Sequence, residues 1–242
     1  IREVGLKPLA AARLLPALQY DLEDVDIDPD YVEIHVGREV APHFFAWIIP
    51  LDESSVRVGL ACKGSPFERL ERFVADRFGK GSNPCRSSIR SGRIVPCGPI
   101  PRSFEDNFMA VGDVAGQVKP TTGGGVIWGS ICAMFAGMVA AEAVEAQKPS
   151  KGFLINYETL WRSRLQKEID LTLLARKIAD RLSDRAVDKI FEIIIESNLH
   201  RDLSIEADMD FQAETVLKLA ARKDVAKILL SAAKDLVFHF GQ

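Results

Sequence analysis

The 242-residue chain has no Cys-x-x-Cys pair, and no histidine stands at ligand spacing from any of its four cysteines, Cys62, Cys85, Cys97 and Cys132. That spacing excludes the usual zinc frameworks, and no metal site is expected. Thiols this sparse read as reduced and mostly buried, with a Cys85/Cys97 pair across a turn as the alternative. Charge of one sign is also scarce. Thirty-one Lys and Arg stand against 34 Asp and Glu, a net −3, so no nucleic-acid partner is expected. No Gly-x-Gly-x-x-Gly occurs: Gly79-Lys80-Gly81 lacks the third glycine and the strand before it. A phosphate-cradling βαβ unit is therefore not expected within the chain. The opening Ile1-Arg2-Glu3 is no signal peptide and reads as a cut from something longer. The uncharged stretch Pro120 to Ala141 is apolar only from Val126, which leaves 16 residues. A span needs about 20, so a core helix is expected there instead. No Ser/His/Asp or Cys/His set emerges, and no internal repeat is visible.

What is present is ordinary globular material, 47% hydrophobic and 27% charged, enough for one or two domains. Residues 31–36 alternate and predict a strand, as do Phe44 to Ile49 and Val56 to Cys62, with a turn over 50–55 between them. Ser65-Pro66-Phe67-Glu68 reads as a capping box with proline at the first helical position, opening a helix to about Phe78. Residues 87–95 predict another strand and 96–101 a turn. Val126 to Ala146 predicts a helix with small residues at Gly129, Ala133, Gly137 and Ala141. After the boundary at Lys148-Pro149-Ser150 the chain is expected to be helical. Leu171, Leu174, Ile178 and Leu182 share one face there, and restarts are expected at Ser183-Asp184 and at Asp210 or Asp224. The fold class is α+β with an antiparallel or mixed sheet. Segments 1–105, 106–148 and 149–242 divide it.

The chemistry concentrates in Phe108 to Val126. An apolar strand runs into Gly112-Asp113, and a glycine triplet, Gly123, Gly124 and Gly125, leads into the helix. A carboxylate at a strand end accepts from sugar-type hydroxyls. Glycines bring backbone within contact distance of a ligand, and a helix start offers free N–H groups and a positive dipole end to an anion. The alternative for Asp113 is a turn cap.

The pattern Gly112-Asp113-x-Ala115-Gly116-x(3)-Pro120-x(2)-Gly123-Gly124-Gly125 resembles the second flavin-contact motif of flavoproteins related to p-hydroxybenzoate hydroxylase, and within them the geranylgeranyl reductase family. Ala41-Pro42-His43-Phe44-Phe45-Ala46-Trp47-Ile48-Ile49-Pro50 resembles that family's A-P-x-x-Y-x-W-x-F-P segment, and Gln19-Tyr20 is a weaker match. The resemblance covers roughly residues 1–200. It implies a substrate-side sheet domain, a flavin-contacting strand, loop and helix, and a C-terminal helical region. It implies FAD held by Gly112, Asp113, Pro120, Gly123, Gly124, Gly125 and Val126, with the phosphate-binding half of that site outside this chain. It places Phe45, Trp47 and Pro50 along a substrate cavity, whereas core packing is what the alternation alone gives for the aromatics. Phe45 stands where the family has Tyr, which removes a hydroxyl, and Ile49 stands where it has Phe.

The resemblance implies the C-terminal part of an FAD-dependent oxidoreductase that saturates isoprenoid double bonds in lipids or chlorophyll-type precursors. The alternatives are a flavin monooxygenase or halogenase relative, or an inactive fragment that only binds lipid or protein. The catalytic acid and the electron donor are not identified. His43 is a weak candidate, since a lone histidine is more often structural. The basic series Arg162, Arg164, Lys167, Arg176, Lys177, Arg181 and Arg185 reads as a solvated helix face, with attraction to anionic lipid as the lesser reading. A cytoplasmic protein is expected, with peripheral membrane association as the lesser reading.

Overall fold

The computed structural model describes residues 1–79, 89–95, 97–223 and 225–227. The chain divides into two compact units. One is Leu15–Ile94 with Ala179–Lys189; the other gathers Ile1–Leu14, Val95–Ile178 and Ile190–Gln242. Residues 1–14 and 95–105, read with the sheet from sequence, lie in the second of these.

The first unit is an antiparallel sheet of five strands, β1 (Leu15–Leu22), β2 (Glu33–Val36), β3 (Phe45–Pro50), β4 (Val56–Ala61) and β5 (Arg90–Ile94), in the order β2-β3-β4-β1-β5. The period-2 pattern decides its two faces. Ala46, Ile48, Val56, Val58, Leu60, Tyr20 and Leu22 pack with Leu70, Phe73 and Val74 of α1 (Pro66–Phe78). Ser65 stands at the N-cap of α1 as expected, but its side chain makes no cap bond. Residues 80–88 and 96, including Cys85 and parts of the expected strand and turn, lie outside the described residues, as does Asp224.

β1 is not among the strands expected from sequence, although it lies between β4 and β5 in the sheet. Leu-Pro-Ala-Leu-Gln-Tyr-Asp-Leu has no β-branched residue, and Pro16 argues against a central strand. Pro16 is tolerated as its second residue, where its carbonyl still accepts from Cys62 N at 3.1 Å.

The second unit is helical. A short hairpin of β6 (Phe104–Glu105) and β7 (Phe108–Met109) turns at Asn107, whose φ is +58°. It leads through a 3-10 turn over Gly112–Ala115 to α2 (Val126–Glu145) and α3 (Lys151–Ala179). Trp128, Cys132, Ala136, Val139 and Ala143 of α2 pack with Leu154, Tyr157, Trp161, Leu165 and Ile169 of α3. At 20 residues α2 is long and apolar enough, by length and composition alone, to cross a membrane. It covers the expected Val126 to Ala146 to within one residue, with Glu142 and Glu145 its only charges. Of the remaining helices, α4 (Asp184–Glu196) is divided between the two units after Lys189, and α5 (Leu199–Glu206) and α6 (Ala213–Ala221) belong to the second.

Two expectations for α3 fail. Its buried stripe runs Leu154, Tyr157, Trp161, Leu165, Ile169, Thr172 and Arg176, while Leu174 is half exposed. Arg176 is not on a solvated face but buried, donating from Nη1 to the carbonyls of Pro120 and Thr121.

Candidate cofactor site

The glycine-rich segment is shaped by backbone that only glycine supplies at low cost. Gly112 has φ +76° and Gly123 φ +70°, in the left-handed region. A Cβ on Gly112 would meet nothing within 4 Å, so the space above it is open. Gly125 differs: a Cβ there would stand 2.6 Å from Asp113 Oδ1 and 2.8 Å from Val118 Cγ1. Asp113, Gly123, Gly124, Gly125 and Val126 are therefore brought together around the start of α2. Asp113 is exposed, and Val126 is 82% exposed. Gly125, the N-cap of α2, brings no side-chain cap. Among the described residues none accepts from the N–H of Gly125, Val126 or Ile127, which leaves the positive end of the helix open to an external acceptor.

A buried relay fixes the other end of the loop. Gly112 N donates to Gln117 Oε1 at 2.8 Å, and Gln117 Nε2 donates to Tyr157 Oη at 2.8 Å. Tyr157 Oη in turn donates to the carbonyl of Ala110 at 2.9 Å. Gln117 and Tyr157 are fully buried, and burial pushes the tyrosine pKa up, so it is neutral at any ordinary pH. Burial likewise pushes the Cys132 thiol up to about 12, which leaves it inert. Cys62 and Cys97 are also free thiols with raised pKa values, again chiefly from burial.

Pro120, also an expected contact, is buried beneath the loop, and its carbonyl is the one Arg176 approaches. The segment 208–213 closes over the same loop. Lys119 Nζ donates to Asp210 Oδ1 at 2.6 Å and to the carbonyl of Met209 at 2.8 Å. Trp128 Nε1 donates to the carbonyl of Asp210 at 2.8 Å, and Thr121 hydrogen-bonds Gln212. Sequence reasoning missed Gln117, Lys119, Tyr157, Arg176 and Asp210. The first two lie inside the motif as unassigned spacers, and no local signal links them to partners far along the chain.

Phe45, Trp47 and Pro50 belong to the sheet unit. Phe45 and Trp47 share one face, edge to face with centroids 6.1 Å apart. Pro50 ends β3 on the other face, opposite Val56. Alternation along a strand would put Phe44 on the face away from Phe45. Phe44 instead precedes the strand and stacks on Phe45, centroids 4.2 Å apart, because His43 takes φ +68° and breaks the alternation. His43 Nδ1 is 3.5 Å from an Asp180 carboxylate oxygen. Among the described residues no cluster of His, Cys, Asp or Glu could hold a metal ion.

The fold is shared with flavin-dependent enzymes. The crystal structure of a mutant of halogenase PltM in complex with FAD superposes with a TM-score of 0.57 at 12% identity, covering 97% of this chain and 60% of that one, a likeness of fold alone. A crystal structure of a geranylgeranyl bacteriochlorophyll reductase-like protein from Thermoplasma acidophilum matches more strongly, with a TM-score of 0.79 and 27% identity over 96% of this chain and 58% of that one. Residues 14–92 match the geranylgeranyl reductase catalytic domain, and the chain belongs to the geranylgeranyl reductase family. Digeranylgeranylglycerophospholipid reductase 2 of Methanothermobacter thermautotrophicus is 38% identical over 194 residues, 78% of this chain and 48% of that protein. The chain thus spans about half the length of that curated relative.

Proposed function

We propose that this chain is part of an FAD-dependent reductase that saturates the double bonds of an isoprenoid lipid. The observation that carries the reading is the open N-terminus of α2 facing an exposed Asp113, within a family match to the geranylgeranyl reductases. The donor set suits a flavin. Asp113 accepts from ribityl hydroxyls, and the N–H groups of Gly125 and Val126 donate to the pyrimidine edge of the ring. The open space above Gly112 admits the ligand. Bound flavin supplies hydride from its reduced ring, the chemistry that side chains cannot provide.

The residues of this chain orient and tune. The helix dipole and the two N–H groups favour negative charge on the reduced ring edge. Gly125 keeps the backbone against Asp113, where any side chain would push the carboxylate away. Phe45 and Trp47 offer aromatic surface to a prenyl chain, and Pro50 ends their strand. Phe45 carries no hydroxyl, so the proton for the second carbon comes from elsewhere. In this reading the phosphates of FAD are held by residues outside this chain. The substrate is taken as a prenyl lipid because the relative's name specifies digeranylgeranylglycerophospholipid. A prenyl lipid resides in a bilayer, so the protein is read as cytoplasmic with peripheral membrane contact.

The test is a visible spectrum of the complete protein containing this chain, purified and titrated with FAD. Flavin bands that co-purify or saturate, and that are lost in Asp113→Ala and Gly124→Val, support the site. Saturation of a prenyl lipid by the chemically reduced protein supports the reaction. A colourless protein that takes up no FAD would sink the proposal.

A further inference from the structure

Lys119 is the hub of the glycine loop, by backbone and by side chain. Its N–H donates to the carbonyl of Gly124 at 3.0 Å, and its carbonyl accepts from Gly123 N at 2.8 Å. Its aliphatic stem lies directly under the loop: a Cβ on Gly124 would stand 2.8 Å from Lys119 Cε and 3.4 Å from Nζ. The ammonium is therefore a positive charge a few ångströms behind the backbone that opens α2. Its side chain is only 12% exposed. A lysine that buried needs a fixed partner. Asp210 is that partner, 91 positions along the chain, at 2.6 Å. Asp210 is itself fixed by the bond from Trp128 Nε1, on the first turn of α2, to its carbonyl, and by the turn bond from Asp210 N to Asp208 Oδ1 at 2.7 Å.

We propose that Lys119 and Asp210 form a positioning pair for the cofactor loop, and that the charge on Lys119, trimmed by Asp210, sets how strongly the loop prefers a reduced, anionic flavin over an oxidised one. This rests on the flavin reading above. Two consequences separate it from a plain structural tie. Lys119→Met removes the positive charge and leaves Asp210, so the reduced ring is disfavoured. Asp210→Asn keeps an oxygen to accept from Lys119 but removes the negative charge, so the reduced ring is favoured. A tie that merely held the fold would make both variants change in the same direction.

Two measurements on the complete protein decide it. The first is amide exchange at Gly123 and Lys119, whose bonds form the loop. Exchange should quicken on the order of tenfold in Lys119→Met, which frees the stem beneath Gly124, and remain near wild type in Lys119→Arg. The second is the ratio of affinities for reduced and oxidised FAD, read as the flavin reduction potential. It should fall in Lys119→Met and rise in Asp210→Asn, each on the order of tenfold, about 30 mV for a two-electron couple. Unchanged loop exchange in Lys119→Met would overturn the proposal, and so would potentials that move together or stay fixed in the two variants. If the wild-type protein takes up no FAD, the flavin reading fails and this proposal with it. Uptake of FAD by wild type with unmoved potentials in the variants rejects the pair alone.

Discussion

The side-chain oxygen of Gln117 accepts the backbone N–H of Gly112 at 2.8 Å, tying the two ends of the turn that presents Asp113. The turn also carries the bond from Gln117 N to the Gly112 carbonyl at 3.1 Å, so residues 112 and 117 are joined twice. Gln117 is buried, and Tyr157 holds its amide nitrogen. The amide orientation is therefore fixed by both neighbours: oxygen to the backbone donor, nitrogen to the phenol.

Gln117→Leu keeps volume but leaves the Gly112 N–H without that acceptor. The donor is only partly buried, so stranding it costs at most about 1–3 kcal/mol. Tyr157→Phe strands the Gln117 nitrogen and the Ala110 carbonyl, with a loss of about the same size. Because the two residues share one relay, the double variant should lose less than the sum, with a coupling of about 0.5–3 kcal/mol. Urea unfolding of the four proteins measures this. Strict additivity would show that the relay does not act as a unit.

Gly59 sits at the centre of the sheet for a steric reason. A Cβ there would lie 2.6 Å from Trp47 Cε2 and Cζ2 and from Gln19 Cβ, its two register neighbours on β3 and β1. The indole thus lies across the glycine. Gly59→Ala must displace either the ring or a strand, at about 1–3 kcal/mol as for other overpacked sites. The tryptophan fluorescence should shift, and Gly59→Ala combined with Trp47→Leu should recover part of the stability. An undiminished urea midpoint in Gly59→Ala would show that the indole moves freely, and the aromatic face would then be soft.

The legible parts of the molecule were those whose chemistry is local. The alternation read over Phe44 to Ile49 and Val56 to Cys62 gave β3 and β4 to within a residue at each end, and proline and glycine punctuation bounded α1. Gly112, Asp113 and Gly123 to Gly125 stand out in sequence because their motif is carried by nearby residues, and the structure groups them at the start of α2. β1 was not readable, since Pro16 and the lack of β-branched residues oppose a strand and only pairing on both sides imposes one. Arg176 was misread for a related reason. A basic residue in a basic series is ordinarily solvated, and its burial is set by Pro120 and Thr121, more than 50 positions away.

Acid should weaken the sheet unit through Glu33. Arg77 donates to both of its oxygens, at 2.7 and 3.2 Å, and His35 Nε2 lies 2.8 Å from one of them. The Arg77 hydrogen bonds hold the Glu33 carboxyl below its ordinary value of 4.5, against a smaller opposing push from burial. A carboxyl with a depressed folded pKa binds fewer protons folded than unfolded. Its stabilisation is therefore complete above the unfolded value, near 4.5, and is lost as pH falls through the lower folded value. The link is β2 to α1, because Glu33 opens the edge strand and Arg77 ends the helix packed behind it. Glu33→Gln should lower stability at neutral pH and flatten the acid limb of the profile, and Arg77→Met should do the same without altering the carboxyl. Urea midpoints between pH 3 and 7 give the comparison. If wild type and Glu33→Gln fell in parallel below 4.5, the acid sensitivity would belong to other carboxylates, and the Glu33–Arg77 pair would contribute nothing to it.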